Sequence, residues 1–245
     1  MLKIINITKK YGGLKAANNC SFVVEPVKIT ALIGPNGSGK STIFNLISGL
    51  EKPDSGKILF KNKDLNNQSV EDISNLGVAR LFQQSKIFKN LTVKENLLVA
   101  MDNIDMNFWR SLFLPNKIEK IKEKKIMTLL GKIKMDHLVN RVASDLSFGQ
   151  QRLIEIARTI LNPHELIILD EPVAGIAPQL RKVITQLLIE EKKNNKSVFF
   201  IEHDMSFTLK LADKIIVIDA GQVIAEGTPK EISQNKKVLE AYLGD

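Results

Sequence analysis

Gly34-Pro35-Asn36-Gly37-Ser38-Gly39-Lys40-Ser41 fits the pattern G-x-x-x-x-G-K-[ST], and Thr42 follows it. Each residue type has a chemical reason. Glycines let successive backbone N–H groups turn inward and form a nest for an anion. A helix that follows adds the positive end of its dipole. Lys40 can reach the β- and γ-phosphates of a nucleotide, and the Ser41 hydroxyl can ligate Mg2+. Far down the chain, Asp170 and Glu171 stand directly after Leu166-Ile167-Ile168-Leu169 and before Pro172. That apolar run fits a strand buried on both faces. Two acids at its carboxyl end are costly there unless they have partners or work. Ligands of such sheets bind beyond the carboxyl ends of strands. Asp170 is then placed to hold Mg2+ through water, and Glu171 to orient or deprotonate a water that attacks the γ-phosphate. Taken singly, the first motif could be a glycine-rich turn and the second a solvated acidic turn. Found together, they predict a nucleotide site.

The elements that must position these residues are readable around them. Residues 28–33 are β-rich and stop at Gly34, while Ile43, Phe44, Leu46, Ile47 and Leu50 recur at helical spacing. The glycine-rich stretch therefore lies between a strand and a helix. Residues 2–8, 21–25, 57–61 and 78–82 also read as strands, with a turn at 11–13. From about 86 to 161 the character is mainly helical, with Ile118, Ile121, Ile126, Leu129, Leu130 and Ile133 as an apolar stripe among lysines. Ser147 and Gln150 have capping-box spacing, which predicts a helix from Ser147 through Arg152, Ile156 and Ile160. The last third alternates again, with strands at 166–169, 197–201 and 215–218 and a helix at 180–193. This order predicts an α/β fold with a mainly parallel sheet. It also predicts one domain over 1–245, in which a helical segment of about 86–161 is inserted between about 1–85 and 162–245.

The chain as a whole sets further bounds. Its 245 residues fit one domain. Cys20 is the single cysteine, so an intramolecular disulfide is excluded, which fits a reducing compartment. The start, Met1-Leu2-Lys3-Ile4-Ile5, runs into a strand pattern and lacks the features of a signal peptide. No apolar run approaches the ~20 residues of a spanning helix, so work at a membrane needs another chain to supply the span. The net charge is +8, and residues 108–141 hold nine Lys or Arg against three acids. A solvated helix face is the plain explanation; contact with anionic lipid or a partner is the functional one. Nucleic acid is not expected, because aromatic residues are not interleaved with these charges. His137 and His164 read as surface residues.

These features resemble the ATP-binding-cassette (ABC) ATPases along essentially the whole chain. Leu146-Ser147-Phe148-Gly149-Gln150-Gln151 is similar to that family's LSGGQ signature, with Phe148 in place of a small residue. The resemblance implies a P-loop NTPase (RecA-like) core, an N-terminal antiparallel β subdomain and an inserted α-helical subdomain. It implies ATP and Mg2+ as ligands, with residues 34–42 as the phosphate loop. Tyr11 resembles the aromatic residue that stacks on adenine. Gln83, with Gln84 as the alternative, resembles the glutamine that senses Mg2+ or water and couples to membrane subunits. His203 resembles the switch histidine that contacts the γ-phosphate. Ser147, Phe148, Gly149 and Gln150 are implied to face ATP held by the second subunit of a dimer.

Within the family, the branched-chain amino acid importer ATPases are the best match. Tyr11-Gly12-Gly13-Leu14-Lys15-Ala16, Asn96-Leu97-Leu98-Val99-Ala100, Ala174-Gly175-Ile176-Ala177-Pro178, Ile201-Glu202-His203-Asp204-Met205 and Ala241-Tyr242-Leu243-Gly244 resemble that group. Lipopolysaccharide-export ATPases share several of these stretches. Ala177 departs from the common aspartate of its loop, and residues 100–130 match poorly. The expectation is an ATP-hydrolysing subunit at the cytoplasmic face of the inner membrane. Its expected partners are a second cassette (a copy or a paralogue), transmembrane permease subunits and, indirectly, a substrate-binding protein. The alternatives are lipopolysaccharide export, a soluble ABC protein of DNA repair or translation, and a non-hydrolysing regulatory subunit. Intact Lys40, Asp170, Glu171 and His203 argue against the last.

Overall fold

Four strands of this chain are apolar at nearly every position because both of their faces are covered. The computed structural model describes residues 1–81, 87–101 and 115–243. In it, β3 (Ile29–Ile33), β7 (Leu166–Asp170), β8 (Ser197–Ile201) and β9 (Lys214–Asp219) lie side by side with β6 (Val78–Leu81) and β10 (Gln222–Gly227). The sheet order is β10-β9-β3-β8-β7-β6. All neighbours are parallel except the edge pair β10 and β9. Side chains along β7 alternate between two cores, with Ile167 and Leu169 in one and Leu166 and Ile168 in the other. Successive residues of a strand point to opposite faces, so a strand covered on both sides needs a continuous apolar run.

One face packs against α1 (Lys40–Ile47) and a second sheet. That sheet is antiparallel, in the order β2-β1-β4-β5, built from β1 (Leu2–Tyr11), β2 (Leu14–Val24), β4 (Ser55–Phe60) and β5 (Lys63–Asp64). Phe199 of β8 joins the layers, with its ring 4.9 Å from that of Phe44 on α1 and 5.9 Å from that of Phe22 on β2. The other face packs against α5 (Phe148–Leu161) and α6 (Pro178–Lys193), and through them against α3 (Val93–Val99) and α4 (Pro115–Lys132). Short helices α2 (Val70–Asn75), α7 (Met205–Leu211), α8 (Pro229–Ser233) and α9 (Lys236–Leu243) complete the described chain.

The mixed α/β architecture with a mainly parallel sheet and a separate antiparallel sheet agrees with expectation. Several boundaries move. β1 continues to Tyr11, so the tyrosine ends a strand and the turn is made by Gly12 and Gly13. β2 starts at Leu14 and pairs back onto β1. α1 stops at Ile47, and Leu50 is exposed beyond it. Ile121 of the expected apolar stripe is half exposed, whereas Ile126, Leu129, Leu130 and Ile133 are buried. His164 is a correction. It is buried, with Nε2 3.0 Å from Glu191 Oε2 and Nδ1 2.7 Å from the Asn162 carbonyl. The loop before β7 tucks under the end of α6, so the histidine lies between packed elements.

Candidate functional site

The sheet order decides which loops meet. β8 lies between β3 and β7. Loops leaving the carboxyl ends of these three parallel strands are therefore neighbours, and they carry the glycine-rich stretch, His203 and the Asp170–Glu171 pair.

The glycine-rich stretch joins β3 to α1 as its pattern predicts. Gly39 has φ +102°, and a Cβ there would lie 1.9 Å from the Ala16 carbonyl oxygen. Only glycine tolerates that combination of backbone and contact. The loop is braced by the β9–β10 turn, where Gly221 N–H donates to the Ser38 carbonyl at 3.0 Å. Lys40 is buried, and its ammonium donates to the Gly34 and Pro35 carbonyls at 2.8 and 2.7 Å. Burial pushes its pKa down, while Glu171 and Asp170 nearby push it up. Tyr11 sits at the side of this loop, exposed, with its hydroxyl on Glu51 and close to Thr42. Lys9 lies 5.6 Å from the Tyr11 ring centre.

Asp170 ends β7, 3 % exposed. Burial raises its pKa above the usual 3.8, and the Arg80 guanidinium beside it works in the opposite direction. Arg80 Nη2 is 3.8 Å from Asp170 Oδ2, while Nη1 and Nη2 also grip Phe44 O and Asn45 Oδ1 on α1 at 3.0 and 2.9 Å. Asp170 Oδ1 is buried without a hydrogen-bond partner. An orphaned carboxylate oxygen beside the glycine-rich loop has the chemistry of a hard cation ligand. Among the described residues no group of three or more His, Cys, Asp or Glu is gathered for a metal.

Glu171 takes φ +47°, a left-handed conformation uncommon outside glycine and concentrated at functional sites. Its N–H donates to the Ile201 carbonyl at 3.0 Å, which ties the turn to β8. Its Oε1 lies 2.9 Å from His203 Nε2. The carboxylate and the imidazole, from two different loops, thus already touch.

Ser147 caps α5, with Ser147 Oγ accepting from Gln150 N–H and Gln150 Oε1 accepting from Ser147 N–H. The helix start is therefore the predicted one. Phe148, in the small-residue position, is 62 % exposed and lies 3.5 Å from where a Cβ on Gly175 would stand. Ala177 precedes α6 as its N-cap and makes no side-chain cap bond. Gln83 and its alternative Gln84 lie outside the described residues.

Three side chains in this region were not singled out from sequence. Arg152 on α5 donates through Nη2 to the carbonyls of Asp170 and Glu171 at 2.8 and 3.0 Å, binding the signature helix to the acidic turn. Arg80 reaches across from β6 to α1 and Asp170. Glu202 is a buried carboxylate, and burial raises its pKa. Like Asp170, Glu202 is an acid at the end of an apolar strand, and that signal is present in the sequence.

A family pattern described as "ABC transporter" matches residues 17–174, the span that contains the phosphate loop, the signature and both acids. The chain belongs to the ABC transporter family. This cassette is an ATPase subunit of that family and binds nucleotide. A second pattern, described as "Branched-chain amino acid ATP-binding cassette transporter", matches residues 222–245. The cassette is 40% identical to a "Probable branched-chain amino acid transport ATP-binding protein LivG" of Archaeoglobus fulgidus, over 100% of this chain and 95% of the relative. Among solved structures, it resembles the ADP conformation of an ATP-binding cassette of an ABC transporter. That likeness has TM-score 0.86 and 37% identity, covering 100% of this chain and 99% of the other. It also resembles a dimeric post-hydrolysis cassette bound to ADP and Pi, with TM-score 0.78 and 26% identity, covering 94% of this chain and 99% of the other.

Proposed function

We propose that this cassette hydrolyses Mg2+-bound ATP at a site completed by a second cassette, and so drives import of branched-chain amino acids. The observation that carries the hydrolytic part is the Glu171–His203 contact of 2.9 Å, next to the phosphate loop and the buried Asp170. Residues 34–42 hold the phosphates, and Lys40 exchanges its loop carbonyls for phosphate oxygens. Ser41 and, through water, Asp170 would hold Mg2+, which would supply neutralisation of phosphate charge. Glu171 orients or deprotonates the attacking water. His203 holds Glu171 and faces the γ-phosphate. Tyr11 offers its exposed ring to adenine, and Gln83, outside the described residues, is assigned by family resemblance as the sensor of water or Mg2+.

Ser147, Phe148, Gly149 and Gln150 serve the nucleotide of the second cassette. The exposed start of α5 supports this, because the first N–H groups of a helix have no intrahelical partner and the capping box engages those of Ser147 and Gln150, not those of Phe148 and Gly149. The dimeric relative supports a paired state. The proposed layout is one domain over 1–245, with a core of about 1–85 and 162–245 and a helical subdomain of about 86–161. The packing of α3, α4 and α5 into one core with the parallel sheet supports that layout. No helix among the described residues is long and apolar enough to cross a membrane. Membership of a transporter family supports permease subunits as partners, with a substrate-binding protein acting through them, and the cytoplasmic membrane face as the place of work. The names of the relatives and the C-terminal pattern support branched-chain amino acids as cargo.

The test is ATP turnover by the purified protein with Glu171→Gln. Loss of a positioned base is worth about a hundredfold or more, with nucleotide binding retained. Equal turnover by the variant rejects Glu171 as the base. Uptake of labelled leucine, isoleucine and valine by cells lacking the cassette tests the cargo, and unchanged uptake rejects it.

A further inference from the structure

Glu202 follows β8 directly, is 3 % exposed and has a role in none of the steps above. Its two oxygens are both engaged by backbone. Oε1 accepts the Val173 N–H at 2.9 Å, and Oε2 accepts the His203 N–H at 3.3 Å. The Asp204 N–H also faces the same carboxylate and favours its charged form. Val173 stands two residues after Glu171, and His203 and Asp204 form the neighbouring loop. The carboxylate thus spans the two turns whose side chains meet at the Glu171–His203 contact.

A second tie lies further along. Arg181 at the start of α6 donates from Nε to the Ile176 carbonyl at 2.8 Å and from Nη1 to Asp204 Oδ2 at 2.5 Å. Residues 173–176 and 202–204 are therefore fastened at both ends. Only the inner fastening is buried. Buried N–H groups must find an acceptor, and a side chain with two acceptor oxygens is the simplest way to serve two loops at once.

We propose that Glu202 is a positioning residue for ATP hydrolysis, holding the backbone of both loops so that the His203 imidazole stays on Glu171. This rests on the reading that Glu171 and His203 act on the nucleotide. A merely structural Glu202 would matter to folding and leave a folded variant fully active. A positioning Glu202 matters to turnover through His203. Glu202→Gln is the informative change. It keeps the size and one acceptor for Val173, but turns an N–H2 donor toward the N–H groups of His203 and Asp204. Two donors then face each other, and the His203 loop must shift.

The experiment compares wild type, Glu202→Gln, His203→Ala and the double variant, each assayed well below its own unfolding temperature. The readouts are ATPase kcat and the Kd for ATP from direct binding. We expect Glu202→Gln to lower kcat about tenfold to a hundredfold and to leave Kd within about twofold. In the His203→Ala background the same change should have almost no further effect, because residues that act through one another are not additive. Wild-type kcat in folded Glu202→Gln overturns the proposal. So does an undiminished loss in the double variant, or a loss confined to Kd. If His203→Ala alone keeps full turnover, the underlying reading of His203 fails instead, and the positioning role fails with it. Glu202→Asp keeps the charge but shortens the reach by one methylene. It is measured in the same way should Glu202→Gln not fold, and wild-type kcat there again overturns the proposal.

Discussion

Ser69, Thr92, Ser147, Asp204 and Thr228 each place a side-chain oxygen on the first N–H groups of the helix that follows. Ala177, at the start of the 16-residue α6, does not. Its backbone already has N-cap geometry, with φ −59° and ψ 145°, and Pro178 occupies the first helical position. The residue is exposed, so a longer side chain meets no wall. Ala177→Asp therefore adds an acceptor for the N–H of Gln179 without moving the chain, the Leu180 N–H already donating to the Ala177 carbonyl at 3.0 Å. A cap of this kind is worth about 1 kcal/mol, and a carboxylate gains roughly 0.3–1 kcal/mol more from the helix dipole. In a chain of this length each kcal/mol shifts Tm by about 2–4 °C. The expected rise is about 3–8 °C for Ala177→Asp and about 2–4 °C for Ala177→Ser, which adds the hydrogen bond alone. Thermal unfolding of the nucleotide-free protein measures both. The difference between the two variants should shrink in ~1 M salt, where the Debye length is only about 3 Å. An unchanged or lower Tm for Ala177→Asp refutes the reasoning, and it would mean that the acidic turn before α6 repels a further charge.

Phe199→Ala empties the space between Phe22 and Phe44, and should cost about 3–5 kcal/mol; a urea midpoint within error of wild type contradicts the layered packing. Gly39→Ala puts a Cβ 1.9 Å from the Ala16 carbonyl oxygen, so it should abolish ATP binding in a direct binding assay; retained affinity shows that the loop has another shape. Glu95 is held below its ordinary pKa of 4.5 by the backbone N–H and then the hydroxyl of Thr92. A depressed carboxylate contributes stability above its unfolded pKa and loses it as pH falls through the folded value. Glu95→Gln should therefore be less stable than wild type at pH 7 and approach it near pH 3 in urea titrations; a gap that widens on acidification reverses the sign and sinks the assignment.

The strand–loop–helix around Gly34 to Ser41 was legible because its pattern is local. A strand, a nest of glycines, one lysine and a helix follow each other within a few residues, so spacing alone identifies them. The α5 start was legible for the same reason, since a capping box spans only Ser147 to Gln150. The burial of His164 was not, because nothing near it in sequence reveals that the end of α6 will cover it with Glu191. Arg80 and Arg152 were hidden too. Each reads as an ordinary charge on its own element, and each finds its partners on an element remote in sequence.

From the residues alone came the glycine-rich loop between strand and helix, the two acids ending a buried strand, the α/β alternation and the start of α5. All of these follow from residue type and short-range period. The sheet order came only with the tertiary structure. Placing β8 between β3 and β7 brings His203 to 2.9 Å from Glu171 and sets Glu202 across the two loops. Hydrogen bonding between strands distant in the chain fixes that order, and a local pattern carries no record of which strand will be the neighbour.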